Sequence, residues 1–212
     1  MDSSQATDRK TPDINQQLAA RVRSLRAERG LSLEALAAAT GVSRSALSLI
    51  ERAESSPTAV LLDRLATGLG VTLASLFAAS PAKARVEPLS RPDTQWLWQD
   101  PASGYRRRAI SPAGVAAPFQ IVEVWFPPGA RVAYETGARA SAPHQQVWLL
   151  EGTMELQVGA EHYRLEAGDC LAFALDQPTL FHNPSASPAR YAVVVSDPNP
   201  GPHGYSAHSP RR

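Results

Sequence analysis

The chain has 212 residues, 43% of them hydrophobic and 19% charged, which suffices for a packed core and excludes a globally disordered chain. Its 21 Lys and Arg residues almost balance its 20 Asp and Glu residues, so it is not a polycation that binds nucleic acid through bulk charge. Its single cysteine, Cys170, excludes an intrachain disulfide and a cysteine-rich metal site.

No stretch approaches the ~20 apolar residues of a membrane span, and the polar start of the chain lacks the apolar core of a secretory signal. We therefore expect a cytoplasmic protein without a membrane partner. Helical spacing in the first half gives way to strand spacing in the second, which predicts an α + all-β fold of two domains. The predicted order is a disordered tail (1–13), a helical domain (14–79), a linker rich in proline and charge (80–95), a β domain (96–196) and a disordered tail (197–212).

Five short helices are predicted in the helical domain. Along the first, apolar residues repeat every three to four positions and line one face, namely Ile14, Leu18, Val22 and Leu25. Gly30 ends this helix, and Ser32 caps the second, "LEALAAAT". Gly41 follows as a turn residue suited to a left-handed backbone, and Ser43 caps the third helix. Two further helices come after Pro57.

A short helix, a glycine turn and a second short helix form the layout of a helix-turn-helix, although five short helices also fit any small bundle. In the third helix, Ala46, Leu47 and Ile50 form the buried face. The opposite face carries hydrogen-bond donors and no acidic residue, since Glu51 lies off it. The members of that face are Arg44, Ser45, Ser48, Leu49 and Arg52.

The segment from Leu18 to Phe77 resembles the DNA-binding domain of the xenobiotic-response-element (XRE) family, which is Cro/repressor-like. The shared order is R-x-x-R-x-x-x-G-L-S, L-A, G-V-S, S-x-I-E, S-P-T and L-A-x-x-L-G-V. The resemblance implies a lambda-repressor-like fold whose third helix lies in the major groove, with Arg44, Ser45 and Leu49 towards base edges. The implied DNA-binding residues are Ser43, Arg44, Ser45, Ser48, Leu49 and Arg52, with Ser43 and Arg52 towards phosphates. Ala53 stands where many relatives have glycine.

The β domain reads as short strands separated by turns. The stretch "QVWLLEGTMELQVGAEHYRLEAGDCLAFAL" is interrupted by Gly152, Gly159 and Gly168, and "FQIVEVWF" and "RYAVVVS" flank it. Short strands with regular turns predict an antiparallel barrel or sandwich.

The spacing of this domain resembles a cupin, a small jelly-roll β-barrel. The second cupin signature keeps its spacing here, and its slots hold Gly168, Ala174, Asp176, Thr179 and Asn183, so that a threonine replaces the histidine. In the first signature the glutamate slot holds Gln145 and the glycine slot Gly152. The two upstream histidine slots fall near Arg139 and Ser141.

Gln145 and Thr179 decide the expected chemistry of the cupin site. A cupin metal site needs neutral imidazoles and a carboxylate, whereas an amide and a hydroxyl are poor ligands for a divalent transition metal. The same two groups are good hydrogen-bonding partners for a small molecule. We therefore expect no metal and no other cofactor, and an effector site at Gln145 and Thr179, with Arg139 nominated as the partner of an anionic ligand.

Three histidines of the β domain are interpreted as surface residues. Adjacent strand residues point to opposite faces, so His144 is out of phase with Gln145, and His182 is out of phase with Thr179. His162 is assigned to a turn and receives the same interpretation.

Two further features of the β domain are interpreted from the alternation of strand residues. If Gln145 faces the interior, Trp148 faces outward and is a candidate dimer contact. The run from Arg106 to Arg108 is interpreted as a solvated strand end, with contact to an anion as the alternative.

Together the two resemblances imply a transcriptional regulator with a DNA-binding domain in front of a cupin-like domain that dimerises and senses a small-molecule effector. The expected partners are a near-palindromic DNA operator and a second copy of the chain. Two alternatives stay open at this point: a metal-dependent cupin enzyme, such as a dioxygenase or isomerase, with an accessory DNA-binding domain, and a purely structural dimerising cupin.

Overall fold

The computed structural model describes residues 13–77, 87–115, 117–135 and 143–196. The five predicted helices are confirmed, and we call residues 13–77 the helical region. Their bounds are α1 (Ile14–Glu28), α2 (Leu33–Thr40), α3 (Arg44–Glu51), α4 (Ala59–Gly68) and α5 (Leu73–Leu76). None of the helices in the described ranges is long and apolar enough to cross a membrane.

The helix boundaries follow the predicted caps. The Ser32 hydroxyl accepts a hydrogen bond from the Ala35 backbone N–H, and the Ser43 hydroxyl accepts one from Ala46, so each serine satisfies a free donor at a helix start. Gly41 ends α2 with a φ of 66°, which a residue with a Cβ adopts only at a cost. Ser32 therefore fixes the start of α2, and Gly41 and Ser43 fix the turn between α2 and α3.

In the described part of residues 97–196, which we call the β region, ten strands form two antiparallel sheets. The strands are β1 (Leu97–Gln99), β2 (Arg106–Ala109), β3 (Phe119–Phe126), β4 (Arg131–Tyr134), β5 (His144–Glu151), β6 (Thr153–Val158), β7 (Glu161–Glu166), β8 (Cys170–Ala174), β9 (Thr179–His182) and β10 (Ala189–Ser196). One sheet has the order β1-β2-β3-β10-β5-β8 and the other β4-β9-β6-β7. The predicted cupin-like jelly-roll fold is confirmed. Over the described strands, the two sheets are not hydrogen-bonded to each other, so the barrel is open rather than closed.

Alternation along the strands places one face of each sheet in the core. Val147 and Leu149 of β5 are fully buried, and Gln145 is half-buried on the same face. Trp148, on the opposite face, is 52% exposed. The predicted inward and outward assignment of β5 is therefore correct.

The helical region packs directly on the β region. The Phe77 ring, just after α5, lies 5.6 Å from the Trp98 ring of β1, measured between centroids. The Asp100 carboxylate accepts a hydrogen bond of 3.0 Å from the backbone N–H of Ala59, at the start of α4. Buried apolar side chains form one continuous core through both regions.

Parts of the predicted domain plan lie outside the described residues. These are residues 1–12 of the first tail, residues 78–86 at the end of the helical domain and the start of the linker, and the whole second tail. The described end of the linker contains a short 3-10 turn, Pro92–Thr94.

Candidate nucleic-acid interface and adjoining cavity

Helix α3 has one buried face and one exposed face. Leu47 and Ile50 are buried against the other helices. Ser48 is half-buried, whereas the other predicted DNA-binding residues are exposed: Ser43, Arg44, Ser45, Leu49 and Arg52. The structure thus brings all six predicted residues to one surface, and Leu49 stands out there as an apolar side chain that is 39% exposed.

Arg44, at the start of α3, is held by a residue from the neighbouring helix. Its guanidinium Nε lies 2.7 Å from Glu34 Oε1, and both side chains are about two-thirds exposed (67% and 64%). A hydrogen bond with its own backbone and, next, the charge of Arg44 lower the pKa of Glu34 from its ordinary value. Glu34 therefore stays ionised at neutral pH and forms an exposed ion pair with Arg44.

Arg52, at the end of α3, is similarly paired. Its guanidinium donates two hydrogen bonds to Glu54, of 2.8 and 2.9 Å, and a third of 2.5 Å to the Ser48 hydroxyl. The hydrogen bond between Arg52 and Glu54 raises the pKa of Arg52 and lowers that of Glu54. The exposed face of α3 itself carries no acidic residue, as predicted. The carboxylates of Glu34 and Glu54 reach this face from outside the helix.

A buried ion pair fixes α3 to α1. Glu51, 6% exposed, accepts hydrogen bonds of 2.6 and 2.9 Å from Nε and Nη2 of Arg26. Arg26 also donates to the Leu31 carbonyl at 2.8 Å, and Arg23 donates to the Glu51 carbonyl. These contacts set the orientation of the exposed face of α3.

Helical spacing does not predict this pair, because Arg23 and Arg26 fall on the polar side of α1 and Glu51 lies off the exposed face of α3. The signal was present in the family motifs. Arg23 and Arg26 are the two arginines of R-x-x-R, and Glu51 is the glutamate of S-x-I-E.

Ala53, two residues beyond α3, has a φ of 58° and is the one described residue other than glycine with a positive φ. This is the position at which the sequence departs from the glycine of many relatives. An alanine here strains the backbone, because its Cβ crowds the following carbonyl in a left-handed conformation.

A cavity of about 60 Å³ lies between the two sheets and the helical region. Its β-region wall contains Gln145 and Thr179, so both predicted effector residues that the structure describes share one cavity. The third, Arg139, lies outside the described residues, as does Ser141. The helical region contributes Asp63, Thr72, Leu73 and Ala74 to the wall, which sequence reasoning did not anticipate.

Arg107 of β2 also lines the cavity, and its interpretation as part of a solvated strand end is wrong. Its side chain is buried at 9% exposure, and its guanidinium carbon lies 5.6 Å from the centre of the Phe77 ring. Arg106 and Arg108, the strand neighbours, lie instead over the Trp125 ring on the opposite face of the sheet. The alternation of β2 therefore separates one arginine from the other two.

Two buried tyrosines, Tyr105 and Tyr191, and the half-buried Tyr134 add hydroxyl groups to the cavity. The Tyr105 and Tyr134 hydroxyls are 3.0 Å apart, and Tyr191 lines the same space. Burial raises the pKa of each tyrosine from its ordinary value. All three are therefore neutral at physiological pH and offer hydrogen bonds without charge.

The histidines lie away from this cavity. His182 Nδ1 is 3.0 Å from Glu155 Oε2, on the face of β9 opposite to Thr179, and His144 is exposed. His162 lies within β7 rather than in a turn, and is exposed. Within the ranges that the structure describes, no group of three or more His, Cys, Asp or Glu side chains is arranged to hold a metal ion.

Comparison with known families defines the class of protein. Residues 22–76 match the helix-turn-helix family HTH_3, and residues 124–195 match the cupin domain family Cupin_2. The chain therefore contains an XRE-type helix-turn-helix domain followed by a cupin domain, as both resemblances predicted.

Two named relatives resemble the chain over most of its length. It is 28% identical over 186 residues to the HTH-type transcriptional regulator SutR of Escherichia coli (strain K12), covering 85% of this chain and 95% of that one. It is 26% identical over 171 residues to the HTH-type transcriptional regulator PuuR of the same strain, covering 80% and 89%. The chain is homologous to helix-turn-helix transcriptional regulators.

A solved structure shares both parts of the fold. The HTH_3 family transcriptional regulator from Vibrio cholerae superimposes with a TM-score of 0.66 at 27% identity, covering 86% of this chain and 96% of that one.

Proposed function

We propose that this protein is a sequence-specific DNA-binding transcriptional regulator of the cytoplasm, whose cupin domain dimerises and senses a small-molecule effector. The observation that carries the proposal is α3, a helix whose exposed face bears arginine and serine side chains while its other face is fixed by a buried ion pair. The homology to named regulators supports it.

In this proposal α3 enters the major groove of duplex DNA. Arg44, Ser45 and Leu49 contact base edges, and Arg44 is the member that can make a bidentate contact with guanine. Ser43, Ser48 and Arg52 border this surface, and Ser43 and Arg52 contact phosphates, which position the helix without reading sequence. Since Arg44 and Arg52 are each paired with a carboxylate in the free protein, DNA has to displace Glu34 and Glu54.

We propose the domain division predicted from the sequence, with a DNA-binding domain (14–79), a linker (80–95) and a cupin domain (96–196) between two tails. Pairing of two chains through the cupin domain would place two α3 helices on one operator. A single α3 reads a few base pairs, and two-fold pairing doubles the site into a near-palindrome. The outward-facing Trp148, 52% exposed, supports this choice of surface.

The effector site of this proposal is the cavity that contains Gln145 and Thr179, with Arg139 as a further candidate. A concave, largely apolar space with a few converging polar groups is the usual form of a small-molecule site. Helices α4 and α5 contribute part of its wall, so an occupant would contact both domains. An effector that favours one arrangement of the two domains would then change the spacing of the two α3 helices.

The proposal is tested by incubating the full chain with fragments of its host genome, sequencing the bound fraction, and footprinting the enriched fragments. We expect enrichment of a small set of sequences and a protected site with two-fold symmetry. Binding without sequence enrichment would contradict a sequence-specific regulator, and a protected half-site alone would contradict the dimer.

A further inference from the structure

We propose that the occupant of the cavity is a small monocarboxylic acid with a short apolar chain, and that Arg107 binds its carboxylate. This inference rests on the proposed function, since it names the chemical class of the effector. Neither of the two cupin signatures includes Arg107, which lies on β2, before the segment that matches the cupin family.

The environment of Arg107 is unusual for a buried arginine. Among the residues that the structure describes, no carboxylate lies within ion-pair distance of its guanidinium. Its guanidinium interacts instead with the Tyr105 side chain and the face of the Phe77 ring. Burying a charge without an opposite charge is costly, so this site gains from an anion that enters the cavity.

The neighbouring acids do not fill this role. Asp100 accepts hydrogen bonds from the Ala59 and Ser103 backbone N–H groups and from the Ser103 hydroxyl. Asp63 lines the cavity from α4 but forms no ion pair with Arg107. The planar guanidinium of Arg107, with five N–H donors, is shaped to receive a carboxylate through two parallel hydrogen bonds.

The rest of the cavity defines the other end of the ligand. Val124, Val193, Val195, Leu175 and Phe181 provide an apolar lining. The volume of about 60 Å³ exceeds the ~10–15 Å³ needed for one water molecule several-fold, which suits a molecule of a few heavy atoms. Gln145 and Thr179 supply neutral hydrogen-bonding groups in the same space.

The position of Arg107 also connects the ligand with the DNA-binding domain. Phe77, whose ring stacks against its guanidinium, directly follows α5, and Leu73 and Ala74 of α5 line the cavity. An anion on Arg107 would therefore change a contact between the two domains. By thermodynamic reciprocity, operator DNA must change the affinity for that anion by the same factor.

The test compares three probes of similar size on the full chain by calorimetry at pH 7: isobutyrate, isobutyramide and isobutylamine. The three differ in the charge of the head group and share the branched apolar part. We expect isobutyrate to bind and the neutral amide and cationic amine to bind at least tenfold more weakly. This comparison uses the unaltered protein, so it does not depend on a variant that folds.

Two matched variants then locate the anion. Arg107→Gln should lower the affinity for isobutyrate about 30-fold or more, because a buried charge loses its partner. Arg106→Gln makes the same charge change one residue away, on the outward face of β2, and should leave the affinity unchanged. Circular dichroism and operator binding of each variant establish that it is folded.

Three results would overturn the inference: equal binding of the amide and the acid, undiminished binding of isobutyrate by folded Arg107→Gln, or no binding of isobutyrate at all. Each of these leaves operator binding intact and so is distinct from failure of the proposed function. Loss of sequence-specific DNA binding by the unaltered protein would instead contradict the proposed function.

Discussion

Arg44 and Arg52 have the same side chain on the same helix face, and each holds a carboxylate partner from outside α3. Residue type and helical spacing predicted the exposure of both. They could not predict Glu34 and Glu54 as partners, because those contacts depend on how α2 and the chain after α3 approach the helix. Exposed ion pairs of this kind contribute little to stability. Their effect on DNA binding is therefore the more informative measurement.

Glu34→Gln should strengthen DNA binding. The substitution removes a negative charge beside Arg44 and leaves that arginine free to contact DNA. We expect operator affinity to rise roughly fivefold, with the free energy of unfolding almost unchanged. Fluorescence anisotropy and urea unfolding measure the two quantities. Glu28→Gln on α1 is the control, and an equal gain there would show a general charge effect.

Ala53→Gly should stabilise the protein. Glycine adopts the observed φ of 58° without the crowding of a Cβ, and we expect a gain of about 1 kcal/mol in the free energy of unfolding. Ala38→Gly, at an exposed position within α2, is the matched control and should lose about 1 kcal/mol. A loss at both positions would contradict the account of strain at Ala53.

At the scale of elements, hydrophobic spacing and capping residues were sufficient to predict five helices and the alternation of β5. The ion pair between α1 and α3, and the strand β2, could not be predicted from spacing and capping residues. Glu51 is charged and buried, which local spacing does not predict, and β2 is a run of arginines that becomes a strand through its pairing with β3. Both depend on contacts between residues distant in sequence.

Arg26→Ala should destabilise the helical region strongly. It leaves the buried carboxylate of Glu51 without its partner, and we expect a loss of about 3 kcal/mol in the free energy of unfolding. Arg29→Ala removes an exposed arginine at the end of the same helix and should cost less than about 0.5 kcal/mol. Urea unfolding monitored by circular dichroism compares the two, and similar losses would contradict the role given to the ion pair.

Glu123 on β3 makes the stability of the β region depend on pH. Burial alone raises its pKa, but hydrogen bonds from Arg190 and Arg108 outweigh that effect, so its pKa is lowered. A lowered pKa in the folded protein gives a stabilisation that is present above the unfolded value of about 4.3 and lost as the pH falls through the folded value.

The test compares the unaltered protein with Glu123→Gln. The variant should be less stable by about 2 kcal/mol at pH 7, and the difference should shrink below about pH 4. Unfolding free energies from pH 7 to pH 3 measure it. Glu161→Gln, at an exposed position on β7, is the control and should show no such difference. If the difference in unfolding free energy between the unaltered protein and Glu123→Gln stays constant with pH, the ionised Glu123 carboxylate is not the source of the pH dependence.

At the scale of the whole molecule, the packing of the helical region on the β region carries the largest departure from expectation. The sequence predicted two domains and a linker, and the motifs of each were specific enough to identify both families. The contact of Phe77 with Trp98 could not be predicted from the sequence. It joins the helical region to the β region, and the residues that form it follow no helical or strand spacing of apolar residues. The cavity wall that α4 and α5 provide could not be predicted for the same reason, because it too depends on contacts between the two regions.

The central claim is that α3 reads DNA sequence through Arg44. The most direct test measures the affinity of the full chain for its operator and for a scrambled duplex, with the unaltered protein, Arg44→Ala and Arg52→Ala compared by fluorescence anisotropy. We predict that Arg44→Ala lowers operator affinity by ~1–3 kcal/mol and reduces the ratio between the two duplexes, whereas Arg52→Ala weakens both alike. An unchanged ratio in folded Arg44→Ala would contradict the claim.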